Sequence, residues 1–262
     1  FISSTPCKYT IGNHKNYYFS YMYNCLFDCK YCFLQGLYMS ANYVIFINYE
    51  DFFNSISQIS NEYKKEKITF FSGYDCDSLA YNSHTQFIEE ALKFFKTQKN
   101  AELEIRTKSS TIKPFLSKSI ENIIIAYSFT PSVFSKKYEA GVPKVEKRLS
   151  SIKQLVRLGW KIGIRFDPII IYESWKNDYV ELFENIFNLI PENQIHSVTY
   201  GNMRFPKHVF KRIEKNNKKD PLFFNLKLKD NLYEQGYKDN IQEFCQKNLQ
   251  NYIGKEKIFS NL

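Results

Sequence analysis

Short apolar runs alternate along this chain with longer segments in which apolar residues recur every three or four positions. The short runs are rich in aromatic and β-branched residues, which is typical of buried β-strands. The longer segments have the spacing of amphipathic helices. Six strands are predicted in this way, at residues 17–23, 67–71, 101–107, 122–129, 161–166 and 194–200.

Helices are predicted between and after these strands. The segment 83–98 has the clearest apolar face, and Ser83 is its predicted N-cap. Another helix is expected to end at Gly159, because glycine accepts the left-handed conformation that closes many helices. The predicted helices are 31–37, 49–63, 83–98, 112–118, 144–158, 178–190, 207–215 and 242–252.

The alternation of strands and helices indicates parallel βαβ units with right-handed crossovers. Six such units predict an α/β fold, a partial (β/α)6 TIM-like barrel, at residues 17–215. A lead-in at 1–16 precedes the predicted barrel, and an extension at 216–262 is expected to pack on it. Parallel barrels place their chemistry at the carboxyl ends of the strands. Residues that follow each predicted strand are therefore the first candidates for a site.

Composition and charge narrow the class of protein. Of 262 residues, 44% are hydrophobic and 24% are charged, as in a globular chain. No apolar run approaches the ~20 residues of a membrane helix, and no signal pattern opens the chain, so a cytoplasmic location without a membrane partner is expected. The first residue is Phe1 rather than Met, and an upstream piece is expected. The net charge of +9 permits a polyanionic partner such as nucleic acid.

Three of the six cysteines are grouped directly after the first predicted strand: Cys25, Cys29 and Cys32, spaced C-x3-C-x2-C. Tetrahedral sulfur ligation suits zinc or an iron–sulfur cluster. A structural zinc site needs four closed ligands, and no further Cys or His follows for a long stretch. A cluster with one open iron is therefore favoured. Cys7 and Cys245 lie far from this group in sequence, and a single cluster is expected.

This spacing, with Tyr31 directly before the third cysteine, resembles the signature of the radical S-adenosylmethionine (SAM) enzymes. Residues 32–35, 48–51 and 71–79 further resemble the spore photoproduct lyase branch, and the resemblance runs from about residue 5 to about residue 214. It implies a [4Fe–4S] cluster on Cys25, Cys29 and Cys32, with the amino and carboxylate groups of SAM on the fourth iron. One electron then breaks SAM to methionine and a 5′-deoxyadenosyl radical. The implied fold is the partial barrel of the radical SAM type.

The resemblance also implies residues that bind SAM. Ser72, Gly73 and Asp75 follow the second predicted strand, where radical SAM enzymes place a Gly-rich motif that meets the amino group of SAM. Lys108 ends the third strand and is implied to pair with the SAM carboxylate. Ser128 ends the fourth and is implied to hydrogen-bond the ribose or the carboxylate.

Two residues are implied to take part in radical chemistry. Cys76 is at the place of the cysteine that gives a hydrogen atom to the thymine radical after repair, and Tyr31 belongs to a proposed radical relay. Two features depart from the family. Phe33 stands after the third cysteine where these lyases usually have Tyr, and the lesion-binding hairpin is matched only weakly, at residues 233–238.

The resemblance therefore implies a lyase that reverses a thymine photodimer, the spore photoproduct, in DNA. The implied partners are the DNA substrate and an electron donor such as a flavodoxin or ferredoxin, and the enzyme is expected to be a monomer. Two alternatives remain open. One is a radical SAM enzyme that acts on RNA or a small metabolite, and the other is a non-enzymatic zinc-binding module for nucleic acid.

Overall fold

The structure is a computed structural model that describes residues 2–6, 9–12, 15–217 and 220–262, so Cys7 lies outside the described residues. The strands are β1 (Ile2–Ser4), β2 (Lys15–Phe19), β3 (Met22–Tyr23), β4 (Asp28–Cys29), β5 (Val44–Ile45), β6 (Ile68–Ser72), β7 (Ala101–Thr107), β8 (Ile123–Ser128), β9 (Glu139–Ala140), β10 (Lys161–Ile169), β11 (Ile195–Asn202), β12 (Arg204–Pro206), β13 (Leu226–Lys229), β14 (Leu232–Gln235) and β15 (Ile258–Ser260). The helices are α1 (Leu34–Leu37), α2 (Tyr49–Glu62), α3 (Asn82–Thr85), α4 (Phe87–Phe95), α5 (Ser132–Tyr138), α6 (Val145–Arg157), α7 (Trp175–Phe187), α8 (Lys207–Asn216) and α9 (Lys238–Leu249).

The principal sheet contains eight strands in the order β1-β2-β6-β7-β8-β10-β11-β15. Neighbouring strands from β2 to β15 are parallel, whereas β1 is antiparallel to β2. The six strands from β2 to β11 in this order are those predicted from the sequence, so the parallel partial barrel is confirmed. Their carboxyl ends meet at one edge of the sheet, and the cysteine loop (residues 24–33) lies after the first of them.

The core explains why these strands read as nearly continuous apolar runs. Every residue of β6 and β8 is buried, as expected of parallel strands covered on both faces. The face of β7 opposite Leu103 and Ile105 is different, because it carries buried carboxylates. There Glu104 forms an ion pair with Arg165 of β10 at 2.5 Å, and neither side chain is more than 1% exposed. Among the described residues, no helix has the length and apolar character that a membrane crossing requires.

Some predicted helices are wrong in detail. The segment 83–98 holds two helices, α3 and α4, because Gln86 between them adopts a left-handed φ of 52°. Ser83 lies inside α3, whose N-cap is Tyr81. The predicted helix 112–118 is a single 3₁₀ turn, Lys113–Phe115, and 31–37 is helical only over α1. Helix α5 was not predicted. Gly159 does close α6, with a φ of 83°.

Segments on both sides of the predicted barrel join its sheet. β1 pairs with β2 at one end, and β15 pairs with β11 at the other. Helix α9 packs on α7, where the rings of Trp175 and Phe244 are 4.7 Å apart. The division at residues 16 and 215 stays a prediction. A separate sheet, β12-β14-β13, contains a hairpin whose turn residues Asp230 and Asn231 both have positive φ.

Candidate active site

The cysteine loop begins at a strained residue. Asn24 has a φ of 68°, a conformation that Asn tolerates better than most residues. Its side-chain amide donates hydrogen bonds to the carbonyl oxygens of Ser40, at 3.0 Å, and Asn42, at 2.6 Å. These two hydrogen bonds hold the segment after the cysteine loop against the first residue of the loop.

The middle of the loop is shaped by a segment far away in sequence. Strand β4 pairs with β9, which places Cys29 opposite Glu139. The next amide, that of Lys30, donates to the carbonyl of Tyr138 at 2.9 Å. The end of α5 and strand β9 therefore hold the middle of the cysteine loop in place.

The three cysteines of the loop differ in burial. Cys29 is buried, and Cys25 and Cys32 are half-buried. Burial raises the pKa of all three thiols, to about 12 for Cys25. Neighbouring thiols add to this effect at Cys25 and Cys29, whereas the Lys108 ammonium opposes it at Cys29 and Cys32. Ionisation of these thiols therefore needs a cationic centre, and metal binding would release their protons.

The ligand chemistry of the loop fits an iron–sulfur cluster. In the part of the chain that the structure describes, no three Cys, His, Asp or Glu side chains surround a position for a single metal ion. This includes the three cysteines of the loop. They lie at the carboxyl edge of the sheet, and thiolate sulfur is the ligand that iron–sulfur clusters take. Cys25, Cys29 and Cys32 would hold such a cluster.

Cys76 lies beside the cysteine loop. It is 7% exposed and belongs to the main apolar core. Burial raises the pKa of its thiol, and the nearby Cys25, Asp77 and Asp75 raise it further. The fold thus brings Cys76 to the first cysteine of the loop and keeps its thiol protonated.

Asp75 joins the segments on either side of the cysteines. The Ser20 hydroxyl donates to its carboxylate at 2.6 Å. The pKa of Tyr38 is raised, first by burial and then by the charge of Asp75 and a hydrogen bond to it. Asp75 therefore contacts Ser20, which precedes the cysteine loop, and Tyr38, which follows it.

Ser72 and Gly73 have different relations to the site. The Ser72 hydroxyl is bonded to Ser78 Oγ at 2.9 Å and donates to the Glu104 carbonyl at 3.1 Å, so its side chain is directed into the core. Gly73 has a φ of 75°, and a Cβ there would collide with Ser78 Oγ. The position requires glycine. Any contact of Ser72 with a ligand would come from its backbone.

Lys108 and Ser128 lie at the ends of β7 and β8. The Lys108 ammonium lies 5.6 Å from the centre of the Tyr31 ring, and its backbone amide donates to Asp77 at 2.5 Å. The Ser128 carbonyl accepts a hydrogen bond from Arg148 at 2.8 Å. The geometry thus brings Lys108 to the cysteine loop. Ser128 is linked to the loop less directly, because Arg148 pairs with Glu139, which accepts from Tyr31.

Tyr31 is buried behind the loop. It is 5% exposed, and its hydroxyl donates a short hydrogen bond to Glu139. Burial raises the pKa of Tyr31, and the Glu139 carboxylate raises it further. Glu139 in turn pairs with Arg148 at 2.8 Å, and both of these side chains are fully buried. A phenol whose proton already points at a carboxylate is suited to losing that proton when it is oxidised.

A match to a family of known proteins adds to this geometry. The family model for spore photoproduct lyase matches residues 12–259 of the chain. The chain belongs to the spore photoproduct lyase family. Enzymes of this family are radical SAM enzymes, which use SAM and a [4Fe–4S] cluster. The resemblance stated from the cysteine motif is confirmed.

Individual spore photoproduct lyases are similar over much of the chain. The lyase of Bacillus subtilis (strain 168) is 25% identical over 202 residues, which are 76% of this chain and 59% of that protein. The lyase of Clostridium acetobutylicum (strain ATCC 824) is 25% identical over 183 residues, 69% of this chain and 54% of that protein. The chain thus spans less than two thirds of the length of these two lyases.

The fold is that of solved spore photoproduct lyases. A variant with bound AdoMet and dinucleoside spore photoproduct superimposes with a TM-score of 0.80 at 18% identity. The match covers 94% of this chain and 76% of that one. The radical SAM partial barrel is therefore confirmed.

The structure shows what surrounds the two positions at which the sequence departs from the spore photoproduct lyase pattern, Phe33 and the run 233–238. Phe33 lies 5.6 Å from the ring of Tyr74, which is 52% exposed. In the weakly matching run 233–238, Tyr233 belongs to the hairpin and packs on Phe210 with ring centres 4.3 Å apart. A hairpin is therefore present in this part of the chain, although its sequence match is weak.

Three residues of the site were not predicted. Asp77 accepts bonds from Leu79 N and Ala80 N, both at 2.9 Å, and from Thr107 Oγ1 at 2.7 Å. It therefore ties the Cys76 segment to β7, and its position beside Cys76 was its only signal. Nothing in the sequence pointed to Glu139 and Arg148. Their roles depend on the pairing of β4 with β9 and on a buried ion pair, and neither has a local sequence motif.

Proposed function

We propose that this chain is a radical SAM enzyme that repairs spore photoproduct in DNA, with Cys76 as its hydrogen donor. The observation that carries the proposal is the position of the Cys76 segment at the cysteine loop: the pKa of Cys76 is raised further by Cys25, and the backbone of Asp77, the next residue, hydrogen-bonds Cys25. Membership of the spore photoproduct lyase family supports a cluster enzyme over a zinc-binding module. A related structure holds AdoMet and dinucleoside spore photoproduct, which supports both the cofactor and the substrate.

The residues of this chain would hold the cofactors as follows. Cys25, Cys29 and Cys32 would bind the [4Fe–4S] cluster, which with SAM supplies a 5′-deoxyadenosyl radical. The Lys108 ammonium, unpaired by any carboxylate within 4.0 Å among the described residues, would pair with the SAM carboxylate. Asp75 would offset the SAM ammonium charge.

The remaining SAM contacts come from the ends of two strands. Gly73 lets the backbone approach the ligand closely, because no side chain intervenes. Ser72 would contribute its backbone and Ser128 its hydroxyl, since the Ser72 hydroxyl is already engaged.

Cys76 and Tyr31 would complete the reaction. The S–H bond is weaker than a C–H bond, so a carbon-centred thymine radical takes hydrogen from Cys76 and leaves a sulfur-centred radical. Burial keeps that thiol protonated, as a hydrogen donor must be. The sulfur radical becomes a thiol again when it gains one electron and one proton. Tyr31 can supply the electron while its own proton moves to Glu139, to which it is hydrogen-bonded. The sulfur then takes a proton from solvent, and the external electron donor reduces the oxidised Tyr31.

The proposal includes partners and a setting. Thymine-dimer DNA is the substrate, and a low-potential protein such as a flavodoxin or ferredoxin supplies the electron. The enzyme acts as a monomer in the cytoplasm. The positive net charge of +9 supports a polyanionic substrate.

The test is a product assay on dinucleoside spore photoproduct with anaerobically purified protein, SAM and dithionite. Wild type should form the repaired dinucleoside and 5′-deoxyadenosine. Cys76→Ala should still form 5′-deoxyadenosine but should give by-products and use more SAM per repaired lesion. The matched control is Cys245→Ala, which removes another buried thiol, in α9.

The outcomes separate the parts of the proposal. Identical products and identical SAM use in wild type and Cys76→Ala would make Cys76 a packing residue. SAM cleavage without repair by the wild type would favour RNA or a small metabolite as substrate. One zinc and no sulfide per chain would end the cluster assignment.

A further inference from the structure

A cavity of about 680 Å³ opens beside the cysteine loop. Two of the proposed cluster ligands, Cys25 and Cys32, contribute to its wall, whereas Cys29 does not. Leu26 and Met39 also line it, and they are 36% and 90% exposed. Solvent therefore reaches the wall that carries two of the three sulfur atoms.

One helix gives this cavity a basic border. Arg212 and Lys215 of α8 line the cavity, and Lys207 and Lys211 precede Lys215 at intervals of four residues on the same helix face. All four cations are exposed. Within the described residues, none of them has a carboxylate partner within 4.0 Å.

Fewer acidic than basic residues lie at the cavity and on α8. Asp28 lines the cavity and accepts a hydrogen bond from Gln35 at 2.6 Å. Glu214 is an exposed carboxylate on α8. At the cavity wall Arg212 and Lys215 outnumber Asp28. On the adjoining surface of α8, Lys207 and Lys211 outnumber Glu214, so the surface beside the cavity is positive.

The basic helix is fixed against the cysteine loop. Arg212 donates from one guanidinium nitrogen to the carbonyls of Gly36 and Leu37, at 3.0 Å each. Gly36 lies so close to α8 that an added Cβ would be 2.5 Å from the Val209 carbonyl oxygen. The positive surface and the loop are therefore held in one arrangement.

We propose that this basic surface docks an acidic electron-transfer protein that carries a low-potential flavin or iron–sulfur centre. The inference rests on the proposed function, because a cluster on Cys25, Cys29 and Cys32 needs an electron from outside the chain. One electron passes from the donor centre to the cluster, so the donor is oxidised and the cluster is reduced by one electron. No bond forms or breaks in this step, and no proton is transferred.

The position of the cavity favours a redox protein over DNA. Electron transfer slows steeply with distance, and here two cluster ligands form part of a solvent-open wall. Cys76, Lys108 and Ser128 do not line this cavity. A lesion that reaches Cys76 is therefore not required to fill this cavity, and the cations of α8 remain available to an acidic protein surface.

The test reverses charge on α8 without touching Arg212, which supports α1. The variant is Lys211→Glu/Lys215→Glu, and the matched control is Lys153→Glu/Arg157→Glu on α6, also four residues apart and exposed. Each holoprotein is mixed with a reduced acidic flavodoxin at low salt, and the bleaching of the oxidised cluster is followed. The same reduction is run with dithionite.

We expect the α8 variant to be reduced by flavodoxin about tenfold more slowly than wild type, since electrostatic steering contributes about 10–10³ to association rates. Its reduction should also depend less on salt, whereas dithionite reduction and the α6 control should match wild type. Unchanged reduction by flavodoxin would overturn the proposal. Equal slowing with dithionite would overturn it too, because the cluster itself would then be damaged.

A DNA-binding measurement completes the comparison. If the α8 variant loses affinity for DNA while flavodoxin reduces it normally, the surface serves the nucleic acid and the proposal is wrong. SAM cleavage by wild type with dithionite tests the proposed function separately. A failure of docking therefore leaves that function intact.

Discussion

The Tyr31 hydroxyl donates to Glu139, the residue that β-pairing places directly opposite Cys29. Glu139 thus contacts the cysteine loop twice: its backbone pairs with Cys29, and its side-chain carboxylate accepts from Tyr31. The same carboxylate accepts from Ser135 at 2.6 Å and pairs with Arg148 at 2.8 Å. The position of the loop is therefore linked to a buried ion pair.

Replacement of Glu139 by Gln should destabilise the protein. The change keeps an acceptor for Tyr31 but leaves the buried Arg148 charge uncompensated, which costs about 3–5 kcal/mol. Urea unfolding measures this loss. Tyr31→Phe is the control, since it removes one hydroxyl and should cost about 1 kcal/mol. An equal loss in both variants would show that the hydroxyl, rather than the ion pair, holds the loop.

Each of Cys25→Ala, Cys29→Ala and Cys32→Ala should abolish the cluster and SAM cleavage, because two thiolates do not retain it. Iron and sulfide analysis after anaerobic purification gives the result. Cys245→Ala should keep both metal and activity, although its thiol is fully buried and some stability will be lost. Complete loss of iron in Cys245→Ala would contradict the single-cluster prediction.

Lys108→Ala should weaken SAM binding and leave the iron content unchanged. The variant removes a charge close to the loop but no metal ligand, and a charge-assisted hydrogen bond contributes about 1.5–3 kcal/mol. Titration of the reconstituted protein with SAM measures the loss. Lys113→Ala, in the 3₁₀ turn after β7, is a control for removal of a lysine. Equal SAM affinity in wild type and Lys108→Ala would return Lys108 to a structural role.

Glu104 should make stability depend on pH in the acid range. Burial acts to raise its pKa, but the Arg165 and Arg106 guanidinium groups outweigh burial and hold it at about 2. Because the folded pKa is below the ordinary value of 4.5, the unfolded chain binds more protons there. The stabilisation is present above about pH 4.5 and is lost as the pH falls towards about 2.

Unfolding of metal-free wild type and Glu104→Gln between about pH 7 and pH 3 tests this linkage. The variant should be less stable at neutral pH by about 3 kcal/mol, since Arg165 loses its partner. The difference between the two proteins should shrink as the pH falls. A difference that is constant over this range would show that the Glu104 carboxylate does not titrate as described.

The sequence predicted those parts of the structure that local patterns determine. The apolar runs found the six central strands, and the short spacing of Cys25, Cys29 and Cys32 found the loop. Glu139 could not be found in this way, because its pairing with Cys29 joins segments far apart in the chain. The break at Gln86 was also invisible, since a left-handed glutamine between two apolar helical segments has no sequence signature.

The sequence predicted where the candidate residues lie more reliably than it predicted what their side chains contact. Cys76 and Lys108 were expected near the loop because both follow parallel strands, and the structure places both there. Ser72 also follows such a strand, yet its hydroxyl faces the core, because side-chain direction depends on partners such as Ser78.

The tethers of the cysteine loop bear on the order of assembly. Its β4 pairs with β9, and α1 packs against α8, so the loop takes its form from chain made much later. Contacts between such distant segments carry a high entropic cost until the intervening chain has folded. We therefore expect the nascent chain to present three loosely arranged thiols, and the cluster to be inserted only after α8 has docked.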